Sequence, residues 1–237
     1  MNWIKFYFLA RKRLNSNNEY IKFQKYQAGE VIKDIDKILK IPKKSFVIDW
    51  GCGNGGYTKV LAKKYKQVLG IDFFVKPKKE RNLKFEKHNL LNYISKKPAD
   101  LIFCASVIEH VTDGEKLIKN INLSIKKDGF LYISFPPFYS LAGGHQLKPF
   151  HYLPKKIAIW IVKKLKRIDQ RVNSYENLFV TYGLYKISII DIKKLLENNN
   201  FNIIKYKTRY FNLLNTTKIP LLNNFLTWHA EFYCIKK

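Results

Sequence analysis

Residues 45–56 read Ser-Phe-Val-Ile-Asp-Trp-Gly-Cys-Gly-Asn-Gly-Gly, and this stretch decides the fold. Its first half is an apolar run that carries an acid at Asp49, which is typical of a short buried strand. Glycines follow at alternate positions, where the backbone can turn tightly and approach a ligand closely. The next residues predict a helix over 57–66. The stretch therefore predicts a strand, a glycine-rich turn and a helix whose first N–H groups can bind a ligand.

Strand and helix signals alternate on both sides of this stretch. Further helices are predicted over 19–40, 115–126 and 188–198, and further strands over 67–72, 83–89, 99–105, 130–135, 201–211 and 228–236. Apolar strands that alternate with helices predict a mostly parallel sheet covered on both faces. We therefore predict an α/β, doubly wound single domain over 1–237 with an N-terminal helical segment over 1–40. The alternation breaks at 136–186, which we interpret as an insertion after strand five.

Composition sets limits on the partners and on the compartment. The chain has 237 residues, and 44 Lys and Arg against 18 Asp and Glu give a net charge of +26. This charge favours an anionic partner such as a phosphate-bearing substrate, a membrane surface or a nucleic acid. The three cysteines are far apart, which favours a reducing compartment. At the N-terminus the basic residues follow the apolar ones, the reverse of a secretory signal, so we predict a cytoplasmic location.

Two acids distinguish between ligands at the glycine turn. Asp49 lies two residues before Gly51, where it would repel a pyrophosphate and attract a cation. Asp72 ends the next predicted strand, 21 residues after Gly51, where it can accept both hydroxyls of a ribose. Two alternatives stay open. The glycines also match G-x-G-x-x-G, the dinucleotide fingerprint, and the turn could be only a tight connection.

The same segments carry a family resemblance. VIDWGCGNG, LGID, ADLIFCASVIEHV and KKDGFLYISFPP resemble the conserved segments of the class I S-adenosylmethionine-dependent methyltransferases. The resemblance covers about 20–135 and 188–236. It implies a Rossmann-like sheet with an antiparallel last strand, S-adenosylmethionine as the cofactor, and a lid insertion over 136–186. One departure is Asn89, where many members carry an aspartate beside the adenine.

The resemblance also implies the roles of individual residues toward the cofactor. Asp49 and the backbone of Gly51, Cys52, Gly53 and Gly55 would border its methionine part. The ribose would be held by Asp72, and the adenine would be contacted by Phe73, Asn89 and Leu90. Ala105 would lie near the sulfonium, and Tyr26 or Gln27 would close over the cofactor.

Histidines are the candidate catalytic residues, because a hydroxyl acceptor benefits from a general base. His110 follows strand four at a position where ubiquinone-type O-methyltransferases hold a metal, but Ser106 replaces their first acid, so we predict no metal. The insertion resembles that of methyltransferases encoded with glycan genes, which implies His145 or His151 as the base and Tyr139 as a residue that orients the acceptor. The alternative is that these side chains only cap a turn or pack the lid.

These observations predict a methyltransferase that acts on a hydroxyl of a sugar or of a lipid-linked glycan. The alternatives, in order, are a quinone-like or phenolic lipid acceptor, an RNA methyltransferase, and an inactive cofactor-binding scaffold. Nucleic acid ranks low, because the Asn/Asp-Pro-Pro-aromatic motif of amino-methylating members does not follow strand four. The segments 154–168 and 3–14 combine apolar and basic residues, which suggests contact with an anionic membrane at its inner face. For 154–168 we favour the alternative, in which Ile157, Trp160, Ile161, Leu165 and Ile168 face the protein core.

Overall fold

The strands of the sheet follow the predicted alternation. A computed structural model describes residues 3–13, 15–76, 78–141, 143–210, 216–219 and 222–237. Within these residues the strands are β1 (Phe46–Trp50), β2 (Gln67–Asp72), β3 (Lys78–Glu80), β4 (Leu83–Lys87), β5 (Ala99–Ala105), β6 (Ile125–Phe135), β7 (Phe201–Thr208) and β8 (Ala230–Lys236). They form one sheet in the order β3-β4-β2-β1-β5-β6-β8-β7.

The central strands β4, β2, β1, β5 and β6 are parallel, so their carboxyl ends meet at one edge of the sheet. β8 runs antiparallel to both β6 and β7, and the short β3 is antiparallel to β4. The predicted Rossmann-like α/β fold with an antiparallel last strand is confirmed. In open sheets of this kind, ligands bind beyond the carboxyl ends of the strands.

The helices of the described chain are α1 (Trp3–Lys12), α2 (Asn17–Leu39), α3 (Gly56–Lys64), α4 (Gly114–Ser124), α5 (Lys155–Lys164), α6 (Tyr175–Tyr182), α7 (Ile189–Asn198) and α8 (Asn223–Leu226). Polar side chains fix where several of them begin. Ser16, Asp113 and Ser188 each accept a hydrogen bond from a backbone N–H of the first turn that follows, and such caps satisfy donors that have no partner within the helix. Short 3₁₀ turns span Ile108–His110 and His145–Leu147.

Helices cover the sheet on both faces. On one face α4 and α7 bury Leu117, Ile121 and Ile192 in the same cluster as Ile48 of β1 and Ile102 of β5. On the other face α2 and α3 bury Ile35 and Leu61 together with Phe103 and Tyr132. Burial on both faces explains why the central strands are apolar almost throughout.

The segment between β6 and α7 has a hydrophobic cluster of its own. Phe138, Leu147, Ala158, Val162 and Leu178 are buried there. The cluster joins α5 and α6 to the turn that carries His145. The segment is therefore a packed body that lies over the carboxyl edge of the sheet.

Several predicted boundaries and one predicted face were wrong. Strand five begins at Ile125 rather than at 130, because Ile125 already pairs with Ala99 before the register shifts. On α5 the buried residues are Ala158, Ile159 and Val162, whereas Ile157 and Trp160 are 48% and 56% exposed. The face that we expected on the core therefore points largely outward, and of its five predicted residues Ile168, which follows the helix, is buried in the cluster of the insertion. Among the described residues, none of the helices has the length and apolarity needed to cross a bilayer.

Candidate active site

The glycine turn after β1 is held close to the neighbouring strand β2. The backbone N–H groups of Gly51 and Cys52 both donate to the carbonyl of Ile71, at 2.9 and 3.0 Å. Gly51 has φ +84°, and a Cβ there would lie 2.3 Å from Cγ2 of Val107. Gly53 has φ +49°, and no atom lies within 4 Å of where its Cβ would be. A side chain at position 51 would therefore clash with Val107, whereas the lack of a side chain at Gly53 leaves open space beside the cleft.

Asp72 connects the ends of β1 and β2. Its Oδ2 accepts a hydrogen bond from the backbone N–H of Gly53 at 3.0 Å, and its Oδ1 accepts one from Phe74 at 2.9 Å. The carboxylate borders the cleft together with Phe73, whose side chain is 51% exposed. The two backbone donors hold the carboxylate in place. Each oxygen accepts only one of these bonds, so each keeps a lone pair that can accept a hydrogen bond from a hydroxyl group.

Three of the predicted cofactor residues lie beneath the turn instead of in the lining of the cleft. Asp49 is buried, and its Oδ2 accepts a hydrogen bond from Oγ1 of Thr58 at 2.6 Å. Burial raises the pKa of Asp49 to about 7 and also raises that of the Cys52 thiol. Gly55 packs on the ring of Phe85, which a Cβ would approach to 2.7 Å. These residues shape the turn from behind, so direct contact of the Asp49 side chain with the cofactor is not supported.

A cleft of about 970 Å³ opens at the carboxyl edge of the sheet. It brings together most of the predicted cofactor residues: Gly51, Gly53, Asp72, Phe73, Asn89, Leu90, Ala105 and Gln27. Tyr26 is not in this lining, and Lys5 lies 5.4 Å from the centre of its ring. Oδ1 of Asn89 accepts from the backbone N–H of Leu91 at 3.0 Å, which orients the amide at the cleft.

Two predicted catalytic histidines meet in this cleft. The rings of His110 and His145 are 5.3 Å apart between centroids, at 81°. Nδ1 of His110 lies 2.6 Å from the carbonyl oxygen of Gly183, so Nδ1 carries a proton and Nε2 of the neutral ring has a lone pair. Although His145 is exposed as a residue, desolvation of its ring, with smaller contributions from His110 and Lys148, lowers its pKa to about 4. His145 is therefore uncharged at neutral pH.

The other two predicted catalytic residues lie inside the insertion, outside the lining of the cleft. His151 is buried beneath Gly144, and its Nε2 lies 3.1 Å from the carbonyl of Ser140. Tyr139 stacks on Phe225 at 5.9 Å between ring centroids. Both placements favour the packing roles that we kept as the alternative.

The cleft also contains ionisable residues that were not among the predicted site residues. Glu109 is only 2% exposed, and burial raises its pKa to about 8. Within the described residues its Oε2 has no hydrogen-bond partner. A carboxyl group that stays protonated at neutral pH in a cleft can donate a hydrogen bond to a ligand.

A buried ion-pair network holds Arg209, which lines the cleft. Nε of Arg209 donates to Oε1 of Glu231 at 2.8 Å, and its Nη2 donates to Tyr132 and Ser134 at 2.8 and 2.6 Å. Lys207 contacts the other carboxylate oxygen of Glu231 at 3.1 Å. Burial opposes the charge of Glu231, but the cations lower its pKa below the usual value. The sequence signal for this network was an acid within the apolar strand β8, and the structure places that acid opposite Lys207 of β7.

This arrangement fits S-adenosylmethionine on two observations. The open space at Gly53 allows a ligand to approach the backbone, and the carboxylate of Asp72 suits the two hydroxyls of a ribose. The hydroxyls would be held by Asp72, and the base would lie between Phe73, Asn89 and Leu90. Ala105 and His110 border the same cleft from β5 and the turn that follows it.

Comparisons with known proteins identify the family of the chain. A family model described as "Methyltransferase domain" matches residues 23–206. The (S)-coclaurine N-methyltransferase of Papaver somniferum is 25% identical over 203 residues, which is 75% of this chain and 56% of that protein. The ubiquinone biosynthesis O-methyltransferase of Coxiella burnetii is 33% identical over 129 residues, or 48% and 54% of the two chains. The chain thus spans about half the length of the curated relatives that it matches.

The fold likeness extends over more of the chain. The crystal structure of an S-adenosylmethionine-dependent methyltransferase from Clostridium acetobutylicum superposes with a TM-score of 0.58 at 12% identity. The superposition covers 88% of this chain and 90% of that one. At this identity the likeness concerns the fold alone.

Proposed function

We propose that this chain, which belongs to the family of methyltransferase domains, is a class I S-adenosylmethionine-dependent methyltransferase that methylates a hydroxyl group of a sugar or of a lipid-linked glycan. The observation that carries the proposal is the pair His110 and His145 in the cleft, with the His110 tautomer fixed by the carbonyl of Gly183. A neutral hydroxyl is a poor nucleophile, and a positioned base assists it by accepting its proton.

The bound cofactor supplies a methyl group on a positively charged sulfur. The protein holds the acceptor in line with that methyl group, which is mainly an effect of proximity. His110 accepts the hydroxyl proton at Nε2, while its Nδ1–H stays hydrogen-bonded to the carbonyl oxygen of Gly183. His145 remains uncharged because its pKa is low, so the positive charge that forms on proton transfer lies on His110 alone.

The lining beyond the histidines suits a sugar. Trp228 and Tyr210 border the cleft next to Arg209 and Gln27. Aromatic faces can stack on a pyranose, and the polar groups can bind its other hydroxyls.

The second candidate acceptor is a quinone-like or phenolic lipid. The likeness to a ubiquinone biosynthesis O-methyltransferase supports it, as do the apolar residues Leu90, Val107 and Val111 in the lining. The N-methyltransferase among the relatives adds an amine as a further acceptor class to be tested.

Labelled methyl transfer tests the acceptor directly. The protein is incubated with S-adenosylmethionine labelled in the methyl group and with separated glycan, lipid and RNA fractions of its source cells. We expect label in the glycan or glycolipid fraction, stable to alkaline hydrolysis as an ether is. Label only in phenolic lipids, in amines or in RNA would contradict the proposed acceptor.

Histidine variants test the base. His110→Ala should reduce turnover by roughly 10²–10⁴-fold and leave cofactor binding intact, and His145→Ala should reduce turnover without changing cofactor affinity. His88→Ala is the matched control, because His88 contacts Glu86 at 2.9 Å outside the cleft. Wild-type turnover in His110→Ala would reject this base.

A further inference from the structure

The outward side of α5 is apolar and exposed. Ile157 and Trp160 are 48% and 56% exposed, and Leu165, which follows the helix, is 50% exposed. At 3.6 residues per turn Trp160 lies about 160° around the helix from the buried Ala158 and Val162, and Ile157 lies about 60° from Trp160. We call Ile157, Trp160, Leu165 and the lysines Lys156, Lys163 and Lys164 the outer α5 surface.

Basic side chains surround the apolar ones on this surface. Six of the residues from 155 to 167 are basic: Lys155, Lys156, Lys163, Lys164, Lys166 and Arg167. Within the part of the chain that the structure describes, only Lys155 of these six has an acid within salt-bridge distance, Glu176 at 3.7 Å. Nζ of Lys164 lies 4.2 Å from the centre of the Trp160 ring. The charge of the surface is thus largely uncompensated.

A second exposed apolar element borders the same cleft. On α1, Ile4, Tyr7 and Phe8 are 73%, 59% and 56% exposed, whereas Phe6 lines the cleft from the inner side of the helix. His145 lines this cleft from the turn against which α5 packs, since Leu147 and Ala158 belong to one buried cluster. Thus α1 borders the cleft directly, and α5 packs on the turn that carries His145, one of the residues in its lining.

We infer that the outer α5 surface docks on an anionic lipid bilayer, with Trp160 and Ile157 at the headgroup level and the lysines on the headgroup charges. An exposed tryptophan beside aliphatic side chains and lysines without an acidic partner is the pattern of an interfacial helix. The long lysine side chains can reach the headgroups while the helix lies in the interface. The inference rests on the proposed function and deepens it, because a lipid-linked acceptor would lie in the bilayer on which the protein docks.

Vesicle flotation tests the docking without any acceptor, so its failure is distinguishable from failure of the proposed acceptor. The full chain is mixed at physiological salt with vesicles of phosphatidylcholine alone, or with a quarter of phosphatidylglycerol. We expect the protein to float with the anionic vesicles only and to be released at high salt. Absence of flotation with the anionic vesicles would overturn the inference.

Paired variants assign the binding to this surface. Ile157→Ser/Trp160→Ser should lower the partition coefficient at least tenfold, whereas Ile190→Ser, at a position 49% exposed on α7, should leave it unchanged. These exposed positions can be changed without opening the core, and circular dichroism confirms folding. Loss of binding in both variants, or in neither, would contradict docking through α5.

A second pair separates local charge from net charge. Lys156→Gln/Lys164→Gln should weaken binding by on the order of fivefold per lysine, and Lys44→Gln/Lys119→Gln removes the same charge elsewhere on the surface. Equal losses in both double variants would show that only net charge matters and would overturn the inference. A different outcome would also overturn the inference: the protein does not bind vesicles, and it forms a dimer that dissociates in the Trp160→Ser variant. That result would assign the surface to a second copy of the chain.

Discussion

Replacing Gly53 by alanine should weaken cofactor binding and leave the protein folded. The backbone at Gly53 is left-handed, with φ +49°, and a side chain there costs about 1–2 kcal/mol. For a chain of this size that loss lowers Tm by roughly 2–8 °C. Within the described residues the new Cβ meets no protein atom, so it projects into the space that the cofactor needs. Crowding of this kind costs about 1–3 kcal/mol, or roughly 5–150-fold in affinity.

The nearby Gly51 is the matched control, because alanine there should act mainly on the stability of the protein. Its Cβ would lie 2.3 Å from Cγ2 of Val107, so the protein itself must shift. Overpacking and the left-handed backbone together predict a loss of about 2–5 kcal/mol in the free energy of unfolding. Val107→Ala in the same chain should recover part of that loss, because it removes the clashing methyl groups.

The assays are urea denaturation for stability and isothermal titration calorimetry with S-adenosylmethionine for affinity. Wild-type affinity in Gly53→Ala would refute the assignment of the open space at this turn to the cofactor. A stable Gly51→Ala variant would refute the packing argument instead.

Further predictions concern the buried charges and the adenine. The raised pKa of Asp49, about 7, means that the native state holds a proton more tightly than the unfolded chain, so the free energy of unfolding should fall from pH 4 to 7. In urea titrations Asp49→Asn should lack this part of the slope, which is at most about 4 kcal/mol. Arg209→Met should cost about 3–5 kcal/mol, and Arg209→Met/Glu231→Leu less than the sum of the single changes. Phe73→Ala should weaken S-adenosylmethionine binding by about 2–13-fold in calorimetry.

Local patterns were sufficient to predict the fold and to bring Asp72 and the glycine turn to one edge of the sheet. The apolar strand before Gly51 fixes a buried central strand, and an acid at the end of the next parallel strand must lie at the same edge of the sheet. For that reason Asp72 could be placed beside Gly53 from the sequence. The same reasoning overestimated the access of the Asp49 side chain to the cofactor. A residue before the turn can point either to the cleft or to the helix behind it, and Asp49 contacts Thr58 of that helix.

Contacts between distant segments could not be predicted. Arg209 and Glu231 pair because β7 and β8 are adjacent and antiparallel, and this register is not visible in either segment alone. The buried side of α5 could not be determined from periodicity, because apolar residues occur on both of its sides. The meeting of His110 and His145 depends likewise on how the insertion folds back over the sheet.

The most direct test of the account is calorimetric titration of the wild type and of Asp72→Ala with S-adenosylmethionine and, separately, with a nicotinamide dinucleotide. The account predicts saturable binding of the sulfonium nucleoside by the wild type, no measurable binding by Asp72→Ala, and no heat from the dinucleotide. Unchanged affinity in the variant, or binding of the dinucleotide in its place, would contradict it.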